Sequence, residues 1–400
     1  MASNALPFLE KMKKMFPLGQ LVFVLSIYFF GAAAFAEEIP TITVRKSDRI
    51  SLNVSPISGN EGPAISRVLE RDLDLSDWFF LKGKGRQASY VVSGEAAPGR
   101  FQGKVTDASG GNVLSKSYTG TPRVVAHLFA DDVVQTLTGK KGIASKRVAF
   151  VSNRTGKKEI YLCDYDGGSV EQLSHDNALS VRPALNSDGT RLAYTGYQSG
   201  YADIYIVDLN TGARRRLVKF PGTNSGAAFS PDGNRIACTV SRDGKPEIYV
   251  VGSSDIGAYR RVTRTRGVAA SPTWSPNGRE IIYVGDESGG PQLYRISANG
   301  GTSGERISTG FGYCTEPSWS PDGRKVAFNV RTGGFSVAVK DLVKGETRVL
   351  ANGENPTWGA DSRHLIFSEG SSLILLDSQT GRRTNILSAF GRLSEPSWAQ

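Results

Sequence analysis

The chain has 400 residues (43.0 kDa) with 39% hydrophobic and 22% charged residues and 18 Phe, 14 Tyr and 5 Trp. That composition excludes disorder as the main state and leaves room for two or three domains of ~100–200 residues. A formal net charge of +10 favours acidic partners or anionic surfaces, while three Cys and three His are too few and scattered for a metal cluster or a disulfide scaffold.

Residues 1–36 have the layout of a cleavable secretory signal. Lys11, Lys13 and Lys14 precede an apolar run from Leu21 to Phe30, and Ala34-Phe35-Ala36 supplies the small-residue cleavage pattern. The run is shorter than the ~20 apolar residues that span a bilayer. Export leaves residues 37–400 with a net charge of about +8, since Glu10 goes with the three lysines. The expectation is an exported monomer without a membrane span or a nucleic-acid partner.

Residues 37–140 read as a small α+β domain. Ile50-Ser51-Leu52-Asn53-Val54 is strand-like, and Ile65, Val68, Leu69 and Leu73 follow helical spacing over 63–73. Trp78-Phe79-Phe80-Leu81 and Tyr90-Val91-Val92-Ser93-Gly94 suggest further strands, and Ser109-Gly110-Gly111 suggests a hairpin turn. Thr121 then caps a helix that Pro122 opens and Gly139 ends.

Residues 141–400 are repetitive, with a period in the forties. Asn186-Ser187-Asp188-Gly189, Ser230-Pro231-Asp232-Gly233, Ser275-Pro276-Asn277-Gly278 and Ser320-Pro321-Asp322-Gly323 are one turn repeated, with a degraded copy at Gly359-Ala360-Asp361-Ser362. Asp-Gly and Asn-Gly tolerate the positive φ of tight hairpins. Leu185, Phe229, Trp274, Trp319 or Trp358 precedes each turn, and Trp398 closes the set. A short strand follows each, such as Arg191-Leu192-Ala193-Tyr194, and then a second such as Asp203-Ile204-Tyr205-Ile206. Four strands per unit without a helix is the content of a propeller blade. The post-turn strand occurs six times, and the turn element missing before Arg147 sits at residues 395–400. The fold expected is mainly β, a six-bladed β-propeller closed by a C-terminal strand at 395–400 and preceded by the small α+β domain.

Cys163 and Cys238 fall within strand-like runs and read as buried free thiols, whereas Cys314 could also pair with another chain. An enzyme is disfavoured. No Gly-x-Ser-x-Gly elbow occurs, there is no phosphate-binding glycine loop, and Asp164-x-Asp166-Gly167 breaks EF-hand spacing. His127, near the polar side of a helix, His175 and His364 have surface or packing roles. No catalytic, cofactor-binding or metal-binding residue is assigned. The positions that vary immediately before the Pro-x-Trp element are expected to ring one mouth of the channel as a docking rim: Arg182, Gly226, Ser271, Glu316, Asn355 and Glu395, with Asn224 beside the second. The basic fourth strands, such as Arg214-Arg215-Arg216, read as solvated outer edges.

The leader, the α+β domain and six blades with the turn seen in Trp319-Ser320-Pro321-Asp322-Gly323 together resemble the TolB family of the Tol-Pal envelope system. Lys146-Arg147-Val148-Ala149-Phe150 and Asp164-Tyr165-Asp166-Gly167 add to the likeness, and residues 82–89 are shorter than that family's segment there. The resemblance implies a non-enzymatic periplasmic docking protein without a cofactor. It further implies that the propeller binds the lipoprotein Pal and that the mature N-terminus, here Glu37, Glu38 and Ile39, engages TolA. The alternatives are an exported propeller that binds saccharide or peptidoglycan, and the propeller of a peptidase-like system. The mouth positions are mainly small, polar or charged rather than aromatic, which favours a protein partner over a sugar.

Overall fold

A computed structural model describes residues 49–83, 86–255, 257, 259–301 and 304–400, and residues 44–400 form one compact unit. The leader and Glu37, Glu38 and Ile39 lie outside the described residues. Among the described residues no helix is long and apolar enough to cross a membrane.

The first part is a five-stranded sheet with two helices. Its elements are β1 (Ile50–Val54), α1 (Gly62–Leu75), β2 (Phe79–Leu81), β3 (Tyr90–Ala97), β4 (Arg100–Asp107), β5 (Asn112–Thr119) and α2 (Pro122–Thr138), in the order β2-β1-β3-β4-β5. β1 runs parallel to both of its neighbours, and the other pairs are antiparallel. Alternation turns Leu52, Val92, Phe101 and Val105 to one face, where they meet Leu69, Phe129 and Val133 in a single buried core. The ends of α2 follow the capping rules. Thr121 accepts the Val124 N–H, Pro122 fills the first turn, and Gly139 adopts a left-handed φ of 69°.

Six four-stranded antiparallel sheets follow among the described residues, and they form the blades of a propeller. In chain order of their second strands, the inner strands of blades 1 to 6 are Leu393–Trp398, Ser180–Leu185, Asn224–Phe229, Ala269–Trp274, Cys314–Trp319 and Glu354–Trp358.

Two repeated contacts sew each blade to the next. In the first, a hydroxyl two residues after the channel-facing position accepts a backbone N–H from the following blade. Ser397 Oγ takes Leu185 N (3.0 Å), Thr273 Oγ1 takes Trp319 N, Ser318 Oγ takes Trp358 N and Thr357 Oγ1 takes Trp398 N (each 3.3 Å). Blades 2 and 3 carry Ala184 and Ala228 there. In the second, the first residue of the second strand reaches across to the next turn. Arg147 bonds Gly189 O (3.1 Å), Arg191 bonds Gly233 O (2.7 Å), Arg235 bonds Gly278 O (3.3 Å) and Lys325 bonds Ser362 O (3.0 Å). Three of these four side chains also lie over the next blade's aromatic ring, with Arg191 5.4 Å from Phe229, Arg235 4.8 Å from Trp274 and Lys325 5.4 Å from Trp358. Blades 4 and 6 break the pattern: Glu280 stands there in blade 4 and pairs with Arg295, and His364 stands there in blade 6 and meets Asp361. The three cysteines are buried free thiols.

The C-terminal strand completes blade 1 by pairing antiparallel with Arg147–Ser152, from Leu393↔Ser152 to Trp398↔Val148. It begins two residues earlier than the expected 395–400, because a bulge after Ser394 shifts the register inside the strand. Ala399 N still reaches Arg147 O at 3.1 Å, and Trp398 is 2% exposed. Trp398→Ala should therefore cost about 3–5 kcal/mol, seen as a lower urea midpoint for the whole compact unit. An unchanged midpoint would mean that closure contributes little.

Candidate functional site

The six inner strands surround a cavity of about 400 Å³ along the propeller axis, and Arg182, Gly226, Ser271, Glu316, Asn355 and Glu395 all line it. They do not sit in loops before the strands, as the sequence reading has it, but inside the strands, at a register shift that recurs in all six blades. The backbone there is left-handed, with φ of 53°, 61°, 49°, 49°, 56° and 54° in blade order 2, 3, 4, 5, 6 and 1. That conformation costs a non-glycine residue of order 1–3 kcal/mol and concentrates at functional positions. A bulge re-aims its side chain, and here the five that are not glycine line the channel.

Arg182 organises the set. Its guanidinium crosses the channel from blade 2 to blade 5, with Nη2 3.1 Å from Glu316 Oε1 and Nη1 3.0 Å from Ser271 Oγ of blade 4. Its backbone N–H donates to Glu395 Oε2 of blade 1 at 2.6 Å. Glu316, ahead of Glu395, holds the guanidinium above its ordinary pKa although burial opposes the charge. Gly226 of blade 3 lies beneath this arm, and a Cβ there would meet Arg182 Nη1 at 3.6 Å. Four blades thus meet in one polar network that can present carboxylate and guanidinium edges to a ligand.

Asn224 is a correction. It is fully buried at the first position of its strand, and its Nδ2 donates to Phe220 O (2.8 Å) and Ala202 O (3.2 Å). It anchors the loop entering blade 3 and does not face the channel. The sequence reading also missed Lys141 and Gln400, which line the cavity together with the turn prolines. The shortness of the link after Gly139 was the available signal for Lys141.

A second cluster joins the α+β domain to blade 1. His127 Nδ1 lies 2.7 Å from Asp72 Oδ2, Tyr165 Oη donates to Asp72 Oδ1 at 3.1 Å, and Arg123 grips both Asp164 and Asp166. His127 is 4% exposed, so it belongs to the interface and not to a polar helix face. Burial opposes its charge, but hydrogen bonds to Asp164 and Asp72 outweigh this and raise its pKa to about 9. Burial raises Asp72 despite His127, while Asp164 is held below the usual carboxylate range: burial opposes this, but bonds from His127 and Arg123 prevail. His127, Asp164 and Asp166 could hold a metal ion by spacing. Arg123 and a protonated His127 already supply the positive charge, so the cluster is read as an ion-pair network. On blade 6, Arg363 bonds Asp377 (2.5 Å) and lies 4.0 Å from the Trp78 ring, while His364 Nδ1 meets Asp361 at 2.6 Å. Neither buried histidine lines the channel, and His175 is exposed.

Comparison with known proteins places this geometry. A family profile described as the TolB beta propeller domain matches residues 134–400. A TolB homolog from Chlorobium luteolum is 49% identical over 82 residues, 20% of this chain and 19% of that protein. The Tol-Pal system protein TolB of Geobacter metallireducens is 35% identical over 125 residues, 30% of this chain and 28% of that protein. These matches therefore span less than a third of either curated relative. The crystal structure of TolB from Acinetobacter baumannii superposes with a TM-score of 0.79 at 26% identity, covering 90% of this chain and 98% of that one.

The interface makes a pH prediction. A histidine near 6.5 when unfolded and near 9 when folded contributes fully below about pH 6.5, and its contribution is lost as pH rises through about 9. Stability should fall by up to about 3 kcal/mol across that window, and His127→Gln should flatten the fall in urea melts at pH 6, 7.5 and 9. His364 titrates in the same sense, because Asp361 and Asp377 raise it against the opposing effect of burial. A parallel His364→Gln variant separates the two.

Proposed function

The chain belongs to the TolB β-propeller family, and on that premise we propose that it is a non-enzymatic periplasmic docking protein of the Tol-Pal envelope system. In this reading the channel receives the peptidoglycan-associated lipoprotein Pal. The exported N-terminus (Glu37, Glu38 and Ile39) engages TolA, so that the protein supports outer-membrane integrity and constriction at cell division. The observation that carries the proposal is the Arg182–Glu316–Ser271–Glu395 network held on left-handed bulges. It presents fixed charges on a rigid frame without a nucleophile–base pair among the groups described, as docking requires and catalysis does not. Phe229, Trp274, Trp319 and Trp398 also line the cavity, but the six bulge positions are charged, polar or glycine, which favours a protein ligand over a saccharide.

Calorimetric titration of residues 37–400 with the periplasmic domain of the same organism's Pal tests this. One-to-one binding weakened at least tenfold, about 1.4 kcal/mol, by the Arg182→Ala, Glu316→Ala double variant is expected. Binding indifferent to the pair would move the site, and absence of binding would overturn the reading in favour of a peptidoglycan or saccharide ligand.

A further inference from the structure

The positive charge of this protein is concentrated. Residues 214–266 carry eleven Lys and Arg against four Asp and Glu, a net +7, where the whole chain has +10. Some of these cations are neutralised locally. Arg214 pairs with Asp176, Arg216 with Asp203, and Arg261 with Glu247 and Asp243. Arg215, Arg235 and Arg260 bond backbone carbonyls elsewhere in the blades, and the rest gather at one end of blades 2 and 3. There Lys219, Lys245, Arg264 and Arg266 are exposed, and none has a carboxylate partner among the described residues.

Backbone hydrogen bonds make this end one continuous rim. Asn224 N bonds Ala202 O (3.0 Å), Ser241 N bonds Thr223 O (3.0 Å) and Ala269 N bonds Pro246 O (2.9 Å), while Lys245 Nζ bonds Arg266 O. Aromatic side chains stand among the cations. Tyr201 is 73% and Tyr259 46% exposed, and Arg242 lies over both Phe220 (4.7 Å) and Tyr259 (5.0 Å). The acidic groups facing the rim are engaged or marginal: Tyr249 and Arg242 hold Asp243, while Asp286 and Glu287 at the blade 4 border accept the Val268 and Arg266 N–H groups. The α+β domain contacts the opposite end of the propeller, at the turns around Asp166, Arg363 and Arg382, and leaves this rim uncovered.

We infer that this rim docks the protein on an anionic phospholipid surface. Clustered Lys and Arg are attracted to phosphate headgroups within a Debye length of a membrane, and tyrosines prefer the interface between headgroup and acyl chain. The rim residues Tyr201, Lys219, Lys245, Arg264 and Arg266 lie in connections between strands at the end of two adjacent blades, a spread suited to an extended anionic surface. The docked orientation leaves the α+β domain facing away from the lipid. This inference does not rest on Pal binding, and its test is independent of the channel.

The test is co-sedimentation of residues 37–400, which contain the whole compact unit, with phosphatidylglycerol–phosphatidylethanolamine vesicles at 0.1 M salt. Binding is expected to be absent with neutral vesicles and abolished by 1 M salt. The Lys219→Ser, Lys245→Ser, Arg264→Ser, Arg266→Ser variant should bind about a thousandfold more weakly. Tyr201→Ser, Tyr259→Ser should also weaken binding at 0.1 M salt, and the channel variant Arg182→Ala, Glu316→Ala should bind as the parent does. Equal melting temperatures establish that the variants are folded. Binding to neutral vesicles, full binding by the quadruple variant, or capture by soluble polyglutamate but not by vesicles would overturn the assignment.

Discussion

The seams between blades are what make six small sheets into one body. A four-stranded sheet alone buries too little to stand by itself, so its stability comes from the faces it shares with its neighbours. Here four of the six shared faces are fixed at the inner margin by a hydroxyl that accepts the neighbour's backbone N–H. Four are fixed at the turn by a cation that bonds a carbonyl, and three of those cations also lie over an aromatic ring. Each such hydrogen bond contributes only ~1 kcal/mol, but they repeat around the ring and set the angle between sheets. The substitutions at Ala184, Ala228 and Glu280 show that no single seam needs both devices. Burial of Trp274, Trp319, Trp358 and Trp398 supplies the larger part of the energy.

The seams also explain the channel. With the inner strands held close, a regular strand would aim the side chain at this position from a sheet face toward a neighbouring blade. The left-handed bulge turns it toward the axis instead, and one residue per blade becomes available to a ligand without disturbing the hydroxyl two positions on. Structural and channel-facing positions are therefore interleaved within four residues, as in Glu316-Pro317-Ser318-Trp319, where Glu316 faces the channel, Ser318 holds blade 6 and Trp319 fills the core.

This interleaving decided what could be read from the chain. The period, the Asp-Gly turns and the alternating strands are local, so blade number and strand order were legible, as was the Thr121–Gly139 helix. The channel positions were found by comparing repeats, yet their backbone was not foreseen, because Arg182, Glu316 and Glu395 are not residues that announce a positive φ. Gly226, in register with them, was the clue: a glycine in a strand column marks a conformation the whole column shares. Asn224 misled because it neighbours that glycine in sequence while facing the other way across the bulge. The interface networks were invisible for a different reason. Asp72 meets His127 across 55 residues and Asp77 meets Arg363 across 286, and no local pattern encodes such a meeting.

That blade 1 takes its inner strand from Leu393–Trp398 and the other three from residues 147–172 has a consequence in time. A chain made and exported from its N-terminus delivers the second strand of blade 1 some 240 residues before that strand's inner partner. Until the last residues emerge, Arg147–Ser152 has one bare edge and blade 6 an open flank, both able to pair wrongly. The α+β domain, by contrast, is complete once residue 138 is through, and it carries the ion pairs that receive blade 1. It is thus positioned to act as a template in cis that shields the first blade while the remainder of the ring is still arriving.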